Sequence, residues 1–146
     1  MAIQKKVNLL DPAIRGRVVN FLAKLDDLRI KYVVVETKRS LEVQEAYYAQ
    51  GRKSIEEVND LRRVAGLWEI TKKDNEKTVT NTLKSKHLDG LAVDIAPMVN
   101  GRVWWNAPEE VWLEIGVIGE SFGLSWGGRW GQTAAKLGWD CPHFQL

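Results

Sequence analysis

The chain of 146 residues holds only two histidines, and each stands near an aspartate: His87 before Asp94 in "KSKHLDGLAVDIAP", and His143 after Asp140 in "WDCPHFQL". Two imidazoles and one carboxylate are the ligand set of many catalytic zinc sites, which keep a further position for water. A second carboxylate nearby can then accept a proton from that water. The chain supplies this set once, with no spare histidine. Gly90 interrupts any helix between His87 and Asp94, and the β-branched "LAVDIAP" reads as a strand stopped by Pro97. On such a strand Asp94 projects to the face opposite Val93 and Ile95, where a carboxylate needs a partner. A solvent-facing aspartate and an ordinary loop histidine satisfy the same pattern, so these two residues alone leave both readings open. Cys141, the single cysteine, excludes an internal disulfide and any zinc site with two cysteines from this chain. It reads as a small buried residue rather than a ligand.

Positioning these groups requires both helices and strands. Asp11-Pro12 is an N-cap followed by proline at the first helical position, and Ile14, Val18, Leu22, Leu25 and Leu28 continue as an amphipathic helix. "YVVVET" reads as a strand and "SLEVQEAYYAQG" as a helix capped by Ser40 and closed by Gly51. "SIEEVNDLRRVAG" reads as another helix, with Ser54 and Glu57 at capping-box spacing. Residues 67–86 are polar and lysine-rich, a solvated loop or a segment bordering a site. Asn100-Gly101 signals a hairpin, and Asn106 is expected to cap a last helix whose buried face carries Val111, Trp112, Ile115, Ile118 and Phe122. Gly116 and Gly119 inside that helix imply close approach of a strand, since each costs about 1 kcal/mol against alanine. "SWGGRW" reads as a turn and "PHFQL" as a terminal strand. The expected class is α+β in one domain, 1–146.

Composition excludes several functions. The net charge is +2 and basic residues are interspersed with acids, so no nucleic-acid patch is formed. No apolar run reaches the ~20 residues of a membrane span, so no stable membrane insertion is expected. "MAIQKKVNLLDP" has no h-region, and no secretory signal is read there. Most of the seven tryptophans lie in the C-terminal third. Trp126, Trp130 and Trp139 could stack on a substrate but are read as core.

"SKHLDGLAVDIAP" resembles the Ser-x-His-x-x-x-x-x-x-Asp pattern of family M15 metallopeptidases, which include D-alanyl-D-alanine carboxypeptidases, dipeptidases and the L-alanyl-D-glutamate endopeptidases of phage lysis systems. "WDCPHFQL" is similar to their closing segment, "TKRSLEVQEAYYAQGR" to an upstream helix, and "VTN" and "WGG" also match. The resemblance runs from about Pro12 to the end and is most like single-domain phage or prophage endolysins. It implies a hedgehog/DD-peptidase-like fold, a small antiparallel sheet flanked by helices, with Zn2+ held by His87, Asp94 and His143. It further implies Asp140 as general base, in place of the glutamate of many relatives, and Arg39 steadying the carbonyl or oxyanion. Ser85 would contact the substrate and Gln44 would line the same wall. The implied substrate is a peptidoglycan stem peptide, cut between L-alanine and D-glutamate or, alternatively, at D-alanyl-D-alanine. A wall-binding module with a structural metal is the alternative from outside catalysis. A monomer is expected, accumulating in a host cytoplasm and released to the wall by a holin-like partner.

Overall fold

The structure is a computed structural model describing residues 3–146. Met1 and Ala2, the start of the segment read as carrying no secretory signal, lie outside the described residues. Helix α1 (Pro12–Asp27) begins where the Asp11 carboxylate accepts the Ala13 N–H, with Pro12 in the first turn. Its buried face is Ile14, Val18, Phe21 and Leu25. Strand β1 (Tyr32–Glu36) follows. Helices α2 (Leu41–Ala49) and α3 (Ile55–Val64) start at Ser40 and Ser54, whose hydroxyls accept from Val43 N and Glu57 N. They share a small core of Val43, Ala46 and Ala65, joined by Tyr47, Leu61 and Leu67.

Strand β2 (Ala92–Val99) turns at Asn100-Gly101, both at positive φ, into β3 (Arg102–Val103). Pro97 was expected to stop β2, yet the strand runs through it. Ile95 N–H donates to Pro142 O just before the neighbouring strand begins, so the next donor position on that side has no strand acceptor to serve. Asn106 does not cap helix α4 (Glu109–Ser121), which starts from Pro108 in extended conformation. A turn closed by Ala107 N and Trp104 O occupies the residues before it. "SWGGRW" is not purely a turn, because Ser125–Trp126 form strand β4 before a 3-10 turn at Gly127–Arg129. Strand β5 (His143–Gln145) ends the described order.

The strands make one antiparallel sheet in the order β1-β2-β5-β4, with β3 on β2. The expected α+β class with a small antiparallel sheet flanked by helices is what forms. Val93 and Ile95 of β2, Phe144 of β5 and Trp126 of β4 pack with α1 and α4 into the main core. Phe144 is wedged between Phe21, at a ring separation of 4.8 Å, and Trp126, at 6.5 Å. The glycines of α4 admit these rings. A Cβ at Gly116 would overlap Trp126, and one at Gly119 would overlap Phe144. Gly119→Ala should therefore destabilise the fold by about 1–3 kcal/mol through overpacking, read as a lower denaturant midpoint.

Residues 67–86 are fixed by polar groups from the end of α2. Gln50 Nε2 donates to Asp74 O and Lys77 O, Gly51 N donates to Asn75 Oδ1, and Arg52 donates to Thr80 O. The segment is thereby made into a wall. Among the described residues no helix is long and apolar enough to cross a membrane.

Candidate active site

Strand register brings distant residues together. Asp94 on β2 lies directly opposite His143 on β5 and, on its other side, opposite Glu36 on β1. Glu36, Asp94 and His143 thus form a row across three strands. His87 reaches the same point from a turn. Ser85 Oγ accepts the His87 N–H, Gly90 takes φ +70, and Arg39 N donates to His87 O. Gly90 is needed here because the left-handed backbone penalises a Cβ.

The imidazoles are oriented by their outer nitrogens. His87 Nδ1–H donates to Thr37 O at 2.7 Å, and His143 Nε2–H donates to Gln145 Oε1 at 2.9 Å. Each ring therefore turns its other nitrogen inward. His87 Nε2 lies 3.2 Å, and His143 Nδ1 3.3 Å, from the same Asp94 Oδ1. One ligand atom from each of His87, Asp94 and His143 falls within 4.8 Å of the others. Three inward lone pairs in a buried spot repel one another unless a cation or proton lies between them. The donor set therefore fits a divalent metal, zinc above all.

Without a metal, protons do this work. Burial alone would raise the Asp94 carboxyl, but hydrogen bonds from His143 and His87 outweigh it and hold the group far below the usual carboxylate range. Burial alone would lower His143, but the hydrogen bond and charge of Asp94 outweigh it and raise the imidazole. In the metal-free protein Asp94 thus stabilises the fold above its unfolded value of about 3.9, an effect lost as pH falls towards the depressed value. His143 stabilises it below about 6.5, an effect lost as pH rises through the raised value. Metal must displace the His143 proton, so affinity should climb as pH rises through that raised value. Titration calorimetry near pH 6 in two buffers of different ionisation enthalpy should detect about one proton released per zinc bound.

A cavity of about 610 Å³ opens over this cluster, lined among others by Arg39, Ser85, Asp140 and residues 78–82. Of the residues singled out in the sequence, His87, Asp94, His143, Asp140, Arg39 and Ser85 meet there. Asp140 Oδ2 stands 3.9 Å from His143 Nδ1. Burial raises the Asp140 carboxyl, a rise only partly offset by His143. Arg39 is gripped by Glu36, donates from Nη1 to Gln44 Oε1 at 2.8 Å and lies over the Tyr47 ring. Gln44 differs from expectation. It is wholly buried and does not line the cavity, because its amide bridges Arg39 and Thr82 O. Cys141 stays outside the cluster, its thiol donating to Gly138 O.

Glu36, Thr37 and Gln145 were missed, and Trp130 and Trp139 were set aside as core. Gln145 could have been found, since it lies two residues from His143 on one strand face. Thr37 acts through its carbonyl, which leaves no mark in residue type. Trp126 is core as expected, but Trp130 and Trp139 line the cavity.

Comparison with known proteins places this arrangement. A family model described as D-alanyl-D-alanine carboxypeptidase matches residues 78–146, a little under half of the chain and the part carrying the His-Asp-His cluster. The peptidoglycan L-alanyl-D-glutamate endopeptidase CwlK of Bacillus subtilis (strain 168) is 28% identical, spanning 94% of this chain and 73% of the relative. The crystal structure of the Serratia marcescens L-Ala D-Glu endopeptidase ChiX is 26% identical with TM-score 0.53, covering 96% of this chain and 82% of that one. A glutamate-to-alanine variant of the vancomycin resistance D,D-pentapeptidase VanY, from a VanB-type cassette and solved with Zn(II), shares the fold at 15% identity. Its TM-score is 0.53, over 94% of this chain and 72% of its own. Fold, motif order and these likenesses agree, and the chain is similar to the M15 peptidases over the segment that carries the cluster.

Proposed function

We propose that this chain is a zinc-dependent peptidoglycan endopeptidase that hydrolyses the L-alanyl-D-glutamate bond of cell-wall stem peptides. The observation that carries the reading is the convergence of two inward-turned imidazoles and Asp94 beside Asp140 in an open cavity. The choice of bond is supported by CwlK and ChiX, both named for it. Zinc held by His87, Asp94 and His143 would supply Lewis acidity, making water more acidic and polarising the scissile carbonyl.

The chain's own groups account for the rest. Asp140, made more basic by burial, takes a proton from the attacking water and returns it to the leaving amine. A guanidinium has five N–H donors, and the Arg39 hydrogen bonds to Glu36 and Gln44 leave donors over for the developing oxyanion. The Ser85 oxygen accepts from His87 N, which leaves its own O–H to donate to a substrate carbonyl. Gln44 acts behind Arg39 as a brace.

The deciding measurement is mass spectrometry of digested peptidoglycan with and without chelator. New N-terminal D-glutamate that disappears with chelator is expected. Release of D-alanine alone would instead establish the D,D-carboxypeptidase reading, which the family model's description favours. The motif resemblance to phage enzymes supports a lytic role for a monomer released from the host cytoplasm by a holin-like partner. Expression with a membrane-permeabilising protein should then clear a culture, and expression alone should not.

A further inference from the structure

The row of Glu36, Asp94 and His143 has chemically different ends. At the β1 end Arg39 leads into a second cavity of about 740 Å³, which shares Arg39, Thr78, Val79 and Asp94 with the first and adds Arg62, Lys73 and Lys77. Its one further acid beyond the row, Asp74, is engaged by the Thr71 N–H and hydroxyl. At the β5 end the groups are aromatic. Successive ring-to-ring steps of 5.1 and 5.3 Å lead from His143 through Trp130 to Trp139. Trp139 lines the cavity next to Asp140 and is nevertheless 76% exposed. Its backbone is fixed, with Trp139 N donating to Trp130 O and Gly138 N to Gly128 O. An indole that leans on a second ring from a pinned backbone has fewer orientations to lose, so covering it costs less conformational entropy.

We infer that Trp139, backed by Trp130, is a subsite for the N-acetylmuramyl sugar that carries the stem peptide. This rests on the L-alanyl-D-glutamate reading. In peptidoglycan the L-alanine nitrogen is acylated by the lactyl group of that sugar. Only one residue and the lactyl group then separate the scissile carbonyl from the pyranose, about 7 Å of extended chain. The C–H face of a pyranose packs on an indole as other apolar groups do. On the other side of the cut, D-glutamate presents a free α-carboxylate, which suits the Arg39 end. A cut at D-alanyl-D-alanine would put the sugar about 18 Å away, well past the tryptophans.

The test compares kcat/KM on N-acetylmuramyl-L-alanyl-D-γ-glutamyl-L-lysine with that on the sugar-free N-acetyl-L-alanyl-D-γ-glutamyl-L-lysine. The native protein should prefer the muramyl substrate. Trp139→Ala should cut that preference about tenfold, the scale of one lost aromatic face, mainly through KM, and Trp139→Tyr should restore most of it. An unchanged preference in Trp139→Ala, or equal losses on both substrates, would overturn the sugar subsite while leaving the bond assignment intact. If the native protein cuts neither substrate but releases D-alanine from a pentapeptide, the bond assignment itself fails and the subsite falls with it.

Discussion

Asp140→Asn will bind zinc with near-native affinity, keep its fold and hydrolyse peptidoglycan about 10²–10⁴-fold more slowly, the range for a lost general base. Asparagine keeps the shape of the side chain and removes its capacity to take a proton. Asp140 is well placed for the role because it is near the metal cluster without sharing its hydrogen bonds: Asp94, not Asp140, is the acceptor both imidazoles address. Its position is set by Gly127, where an added Cβ would overlap the Asp140 carbonyl, so the backbone there closes onto Asp140. Zinc content and a cleavage assay on the same preparation check the expectation. Full turnover by Asp140→Asn would remove Asp140 from the mechanism and point to a different base.

The residues that gather at the candidate site were more legible in the sequence than the geometry that gathers them. His87, Asp94, Asp140 and His143 are rare or unsatisfied types in telling places, and the order of their motifs carries the family. Their meeting depends on the pairing of Asp94 with His143 across β2 and β5, a contact between segments far apart in the chain that no local pattern encodes. Helices with capping side chains were readable because a cap is local, as at Asp11, Ser40 and Ser54. Boundaries set by tertiary neighbours were not. Pro97 continues β2 where its neighbour demands no donor, and Pro108 rather than Asn106 opens α4. Hydrophobicity likewise could not sort the tryptophans, since Trp126 fills the core while Trp130 and Trp139 face the cavity. Gln44 was assigned to the right neighbourhood but to the wrong surface: burial turns it from a wall into the strut behind Arg39.

His143→Ala should lose both zinc binding and hydrolysis, separating it from Asp140→Asn. The substitution deletes an inward nitrogen and leaves His87 and Asp94, too few ligands for a tight site. It also removes a hydrogen bond to a half-buried carboxylate, so the metal-free fold should weaken by about 1–3 kcal/mol near pH 6, with a smaller loss well above the raised His143 value, where that imidazole is neutral in the native protein too. Gln145→Leu should be graded between the two variants. It leaves every ligand in place but frees the His143 ring from the amide that holds its Nε2–H, and about 10–100-fold weaker zinc binding is expected. Cys141→Ser should bind zinc normally, because the thiol is committed to Gly138 O and lies outside the cluster. Competition against a chromophoric chelator ranks all four proteins. Tight zinc binding by His143→Ala, or its loss in Cys141→Ser, would mean that the metal is held by a different set of atoms from the three that the sheet register and the His87 turn bring together.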